Sequence, residues 1–183
     1  ILMYHAVERG APTGYAFAVS EKQFLSQADI LRRFGFQTIS LGRLFDGLAG
    51  RAVLPRKPVV LTFDDGYRNV AEVAWPLMRE RGMTGTVFAV ADHLGGTNVW
   101  DESAGHPRLE LMSAGVLREL AGDGWEIGSH GCRHRDLVRV GAAEAREEVV
   151  RSKALLEEAA GTAVDFLAYP YGRHAEHTGE LVR

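Results

Sequence analysis

Cysteine is almost absent from this chain. The single thiol, Cys132, excludes an internal disulfide framework and any zinc site built from several cysteines. Long apolar runs are missing too, and no stretch approaches the length of a membrane-spanning helix. Neither sign of charge is in excess. The 21 basic and 24 acidic residues give a net charge of −3, so there is no nucleic-acid footprint and no polybasic membrane surface. Internal repeats and low-complexity tracts are lacking, and nothing marks a domain boundary. A chain of 183 residues, 46% apolar, can bury a sizeable core, and residues 1–183 read as one domain. The first residues, Ile1-Leu2-Met3-Tyr4, already read as a strand, with neither an initiator Met nor a basic-then-apolar leader. Glu180 to Arg183 reads as a helix cut short. Further chain is expected on both sides.

What is present is organised around Val59 to Tyr67, Val-Val-Leu-Thr-Phe-Asp-Asp-Gly-Tyr. The apolar run reads as a strand buried on both faces, as in a parallel sheet. Asp64 and Asp65 then sit at its C-terminal end, where α/β sheets and barrels build their chemistry. Successive strand side chains point opposite ways, so two adjacent acids can take two jobs if Gly66 lets the backbone bend. Asp-Asp-Gly alone is an ordinary turn. The buried run before it and a distant histidine pair give it weight.

The pattern before and after this stretch alternates strand with helix. Residues 8–19, with Gly10, Pro12 and Gly14, read as an exposed loop. Ser20 and Gln23 form a capping-box signature for a helix that ends near Gly35. A short strand over Phe36–Ile39, a helix over Leu41–Leu48 and a basic connector lead into Val59. A helix through Val70, Val73, Ala74, Leu77 and Met78 stops at Gly82. Thr84–Val90 is a strand, 91–110 a long loop of the kind that tends to be functional, and Ser113 caps a helix to about Ala121. Trp125–Gly128 is a strand. Glu144–Ala160 is a helix with charges on one face and Val149, Leu155 and Leu156 on the other. Val164–Tyr169 is a final strand. Such alternation implies parallel strands with right-handed helical crossovers, an α/β fold of barrel type. His5, Asp64, Asp65, His130 and His134 all follow strands, and in a barrel those ends share one rim.

His130 and His134 stand at i and i+4, a spacing that lets two imidazoles share one ion. With one carboxylate they make a three-ligand site with an open position, as in catalytic zinc centres. A divalent cation there polarises a carbonyl and brings the pKa of a water to about 7, and a second carboxylate beside it can take the proton. The pair of acids fits one ligand and one base. Alone, HxxxH is as readily two solvated loop residues, and His5 by itself reads as a hydrogen-bonded strand-end histidine. Cys132 reads as a buried or incidental thiol. His93, His106, His174 and His177 read as surface residues, and Trp75 and Trp125 as core. Trp100 with Asp101 lines a substrate groove or plugs the barrel mouth.

Thr62-Phe63-Asp64-Asp65-Gly66-Tyr67, Ser129-His130 to His134, and Phe166 to Gly172 together resemble the polysaccharide deacetylases of carbohydrate esterase family 4. The resemblance runs over essentially the whole chain. It implies a distorted (β/α)7 barrel with parallel strands whose C-terminal part lies outside this chain. It implies that Asp64 is the general base and that Asp65, His130 and His134 hold the metal, zinc first, with cobalt and nickel as alternatives. It puts Tyr67, Trp100, Pro170 and Tyr171 along the substrate, with the Tyr171 N–H at the oxyanion. The implied partner is a polysaccharide or oligosaccharide of chitin, peptidoglycan or poly-N-acetylglucosamine type, and the implied place is secreted, periplasmic or envelope-associated. Two features depart from the family. Ala168 stands where an Arg often orients the base, and the late Leu-x-His motif that supplies the acid is absent. Met3-Tyr4-His5-Ala6-Val7, however, resembles the opening of a permuted branch acting on poly-N-acetylglucosamine, in which an N-terminal histidine serves as acid. That assigns the role to His5. An amidase of small molecules on a related barrel and a non-catalytic carbohydrate-binding barrel are the other readings.

Overall fold

A computed structural model describes residues 1–179; the final residues, including the expected C-terminal helix from Glu180, lie outside the described part. In chain order the elements are β1 (Leu2–Tyr4), β2 (Ala6–Glu8), β3 (Ala18–Ser20), α1 (Glu21–Arg33), β4 (Gln37–Thr38), α2 (Leu41–Leu48), β5 (Pro58–Val59) and β6 (Leu61–Phe63). A π-helical turn (Val70–Ala74) runs into α3 (Trp75–Arg79), followed by β7 (Thr86–Ala89), α4 (Ala114–Gly122), β8 (Glu126–Ser129), α5 (Ala142–Ala160) and α6 (Glu176–Gly179). The apolar spacing of 70–78 suits either helix type, which is why the π turn is invisible in the sequence.

Among the described residues every strand pair is parallel. The main sheet runs in the order β1-β6-β7-β8, with β2-β3 and β4-β5 as smaller parallel pairs. The strand expected over 164–169 shrinks to one bridge, Ser129 with Leu167, fixed by hydrogen bonds from Ser129 N–H to Phe166 O (2.8 Å) and from Ala168 N–H to Ser129 O (2.9 Å). Pro170, which lacks a donor and restricts the residue before it, stops it there. The segment expected to be wholly loop contains β3, whose register against β2 pairs Ala6 with Ala18 and Glu8 with Ser20. Among the described residues the main ladder stays open between β1 and the Leu167 bridge. No described helix is long and apolar enough to cross a membrane.

The strand β6, Leu61-Thr62-Phe63, is buried along its length and lies between β1 and β7, as the apolar-rich stretch around it requires. Phe63 stacks on Tyr4 at 5.5 Å and meets Phe24 of α1 at 5.9 Å and Trp125 at 5.3 Å. Such aromatic pairs contribute about 0.5–1.5 kcal/mol each beyond area burial. The close approach leaves no room at Gly85, where a Cβ would lie 3.0 Å from Trp125 and 3.1 Å from Phe63. The Ser20–Gln23 capping box forms as the sequence indicates. Trp125 is core. Trp75 is only half-buried, because its indole N–H donates to the Asp123 carboxylate at the surface.

Candidate active site

The turn after β6 is built to separate its two acids. Asp65 and Gly66 both take left-handed backbone angles, φ 71° and 75°. Gly66 is needed, since a Cβ there would lie 3.3 Å from Ala89. For Asp65 the same conformation is strained, so the bend is sharper than a glycine alone supplies. The Asp64 N–H donates to Tyr4 O (2.9 Å) and Met112 N–H donates to Gly66 O (2.8 Å), which pins the turn from both sides.

The segment after β8 brings in the two histidines. His130 Nε2 lies 3.4 Å and His134 Nε2 3.2 Å from Asp65 Oδ1. All three side chains are buried, and their donor atoms lie within 4.8 Å of one another, an arrangement able to hold a metal ion. The fit is supported by what Asp65 lacks: its Oδ1 is buried without a hydrogen bond among the described residues. His130 Nδ1–H donates to Ala168 O (2.8 Å), which leaves the Nε2 lone pair turned to the cluster. Residue 168 therefore contributes its backbone carbonyl, whatever its side chain.

Burial alone pushes the Asp65 carboxyl up, but the two imidazoles outweigh it and hold the group far below the usual carboxylate range. Burial lowers His130, and the facing Asp65 reverses that into a net rise; for His134 burial prevails and the shift is downward. Asp64 is raised, chiefly by burial, against the opposing pull of His130, His5 and His134. Adjacent in sequence, the two acids are driven in opposite directions.

The histidine loop owes its shape to α5. Glu148, 0% exposed, accepts hydrogen bonds from Cys132 N–H (2.8 Å), Arg133 N–H (2.9 Å) and Arg133 Nε–H (2.7 Å). One turn on, Ser152 Oγ lies 2.7 Å from Ser129 Oγ, which accepts from Gly131 N–H (3.1 Å). The buried stripe of α5 is Ala145, Glu148, Ser152, Leu156 and Ala160. The charged face expected on this helix is thus not wholly solvated. The sequence reasoning missed Glu148 and Ser152, though their places between Ala145 and Leu156 at helical spacing were a signal. Cys132 is fully buried, and burial pushes its thiol up to about 11.

The long loop makes the remaining wall. Trp100 stacks on His134 at 4.7 Å and 20°, and its indole N–H is buried without a partner. Asn98 donates to Asp101 Oδ2 (3.1 Å) and Pro107 O (3.2 Å), and accepts from Leu109 N–H (2.6 Å). Tyr67, expected to face substrate, is fully buried instead, with its hydroxyl 2.9 Å from that of Tyr15 and 3.3 Å from Asp101 Oδ2. It ties the loop down rather than lining the cleft. Asn98 and Tyr15 also escaped the sequence reasoning, because loop polar residues give no periodicity; Asp101, expected at a groove or the barrel mouth, is tied to Asn98, Tyr67 and Tyr15. Tyr171 meets His134 at 4.7 Å and has a left-handed φ of 62°, while Pro170 is buried behind it.

His5 lies between β1 and β2, half-buried, its ring stacked on Phe17 at 5.2 Å and near enough to Asp64 for its charge to lower that carboxyl. Two histidines expected at the surface are packed instead: His93 on Trp100 at 5.3 Å and His106 on Tyr15 at 5.4 Å. His174 is exposed, and the His177 side chain lies outside the described part.

Residues 51–183 match the family model described as Polysaccharide deacetylase. The YxkH protein of Bacillus subtilis is 28% identical over 178 residues, 97% of this chain and 58% of that protein. The poly-beta-1,6-N-acetyl-D-glucosamine N-deacetylase of Staphylococcus epidermidis is 24% identical over 165 residues, 85% of this chain and 54% of the enzyme. The chain therefore spans little more than half the length of these curated relatives. The solved Streptococcus pyogenes deacetylase PplD, in complex with acetate, superposes with a TM-score of 0.84 at 22% identity, over 99% of this chain and 77% of its own. The distorted parallel α/β barrel expected from the sequence is borne out at the level of fold.

Proposed function

Because the chain belongs to the polysaccharide deacetylase family, we propose that it hydrolyses N-acetyl groups on N-acetylhexosamine units of a polysaccharide, releasing acetate and leaving free amino sugars. The observation that carries this is Asp65 Oδ1, buried, unpartnered by hydrogen bonds and set 3.4 and 3.2 Å from two imidazole nitrogens. Zinc suits that donor set, and cobalt or nickel fit it too. Such a cation supplies Lewis acidity, polarising the acetamide carbonyl and bringing the pKa of a water to about 7.

The chain's own residues do the rest. Asp64 takes the proton of the attacking water, and its burial raises its proton affinity, which favours that role. The Tyr171 N–H serves the developing oxyanion as a preorganised donor. His5 gives its proton to the departing nitrogen. Trp100 and Tyr171, flanking His134, hold a sugar ring against the site, and an open wall of this kind fits a chain of sugars better than a closed small-molecule pocket. A pure binding barrel has no use for two adjacent buried acids. Residues 1–183 act as one catalytic domain on a chitin-, peptidoglycan- or poly-N-acetylglucosamine-type polymer. The enzyme works outside the cytoplasm, where such polymers lie.

Acetate release from N-acetylglucosamine oligomers tests this. Release should stop with a chelator and return with zinc. Release indifferent to the chelator, or none from zinc-loaded protein, would sink the proposal.

A further inference from the structure

Beside the metal cluster lies a cleft of about 510 Å³ that shares Trp100, His134 and Tyr171 with it. Its other walls are strongly one-sided in charge: Arg133, Arg135, Arg139 and Arg173 face a common space with Asp136 as the lining acid. The counter-charges are unevenly placed. Arg139 and Arg173 share the one Asp136 carboxylate, at 3.3 and 3.0 Å. Arg135 reaches Glu144 only at 3.7 Å. Arg133 is held by the buried Glu148 at 2.7 Å and by Glu147 at 3.5 Å. Glu144, Glu147 and Glu148 do not line the cleft. A ligand entering it meets guanidiniums first, since the Arg135, Arg139 and Arg173 side chains are 57%, 73% and 53% exposed. Each guanidinium carries N–H donors beyond those its one acid contact uses, in a fork that matches carboxylate and phosphate oxygens in pairs.

We propose that this cleft is an anion subsite, and that the substrate carries a carboxylate or phosphate on a sugar neighbouring the one deacetylated. The proposal rests on the deacetylase reading for its placement next to the reacting sugar. The same rim repels an ammonium group, so a sugar that has already lost its acetyl group is a poor occupant.

The test compares a neutral N-acetylglucosamine oligomer with the same oligomer carrying C6 carboxylates and with one carrying C6 phosphates. Acetate release by the zinc-loaded chain is measured at ~0.01 M and ~1 M salt, between which the screening length falls from about 30 to about 3 Å. An anionic oligomer should be preferred about tenfold in kcat/KM at low salt, and the preference should largely vanish at high salt. Whichever anionic oligomer leads identifies the group. The double variant Arg135→Gln, Arg139→Gln should reduce the anionic-to-neutral ratio severalfold, through KM. Equal rates on all three oligomers, or a preference untouched by the double variant, would overturn the subsite. If no oligomer releases acetate, the deacetylase reading fails separately, and calorimetric affinities of the three oligomers decide the cleft alone. Tighter binding of an anionic oligomer supports it, and equal affinities refute it.

Discussion

Histidines approach the adjacent acids from two directions, and the two approaches are built differently. His130 and His134 are buried, on a loop whose backbone N–H groups are taken up by Glu148 and the Ser129–Ser152 pair, and His130 is fixed further by Ala168 O. Among the described residues His5 has a stacking partner, Phe17, itself 54% exposed, and no hydrogen bond. On the proposed reading His130 and His134 are metal ligands, which must hold their lone pairs within a few tenths of an ångström, and rigidity suits that role. A proton donor has to meet a nitrogen that moves as the bond breaks, and a loosely held ring can follow it. The difference in construction matches the difference in assigned task.

Substitutions can break that comparison. The largest effect is expected at the ligands: His134→Ala should abolish stoichiometric zinc binding and reduce acetate release to background while the circular-dichroism spectrum stays native-like. An active variant would remove His134 from the cluster. Asp64→Asn should keep the metal and lower kcat by ~10²–10⁴-fold. Metal loss in that variant would mean that the two acids have exchanged roles. The direction of the Asp64 shift also sets an acid limb. The deprotonated carboxylate is the working form, burial raises its pKa, and so kcat/KM should fall as pH drops through a midpoint above the ordinary aspartate value of ~3.9. His5→Ala should leave zinc affinity intact and lower kcat by about 10²-fold. The smallest effect sharpens the contrast on the rigid side. Glu148→Gln should weaken zinc binding by ~10–100-fold in a chelator competition, with kcat on saturated enzyme much less affected. Unchanged affinity would mean that the loop holds its shape without the buried charge.

Much of this was readable beforehand. The run from Val59 to Phe63 announces buried strand because four of its five residues are apolar, although the structure divides it between the end of β5 and the whole of β6, and α2 begins and ends at the expected residues because Ser40 caps it and Gly50 follows it. The acids and histidines were legible because strand ends are the places where chemistry gathers. Tertiary substitutions for local rules were not legible. Glu148 looks like one more solvated acid in a charged helix; only the loop folded against it shows that it faces inward. Tyr67 reads as part of the substrate-facing motif, yet its hydroxyl is spent on Tyr15 and Asp101 from segments distant in sequence. Gly10, Pro12 and Gly14 hide the β2–β3 pairing, which depends on register between two short segments and not on either alone.

Among the described residues, three other than glycine adopt a left-handed backbone: Asp65, His134 and Tyr171, at φ 71°, 56° and 62°. All three belong to the candidate site. Conformations of this kind cost of order 1–3 kcal/mol each for an ordinary side chain, and glycine adopts them freely. Selection of this chain for heat resistance alone would therefore drift toward glycine at these positions. The hardiest descendants would be those that had lost the carboxylate and the imidazole of the candidate site.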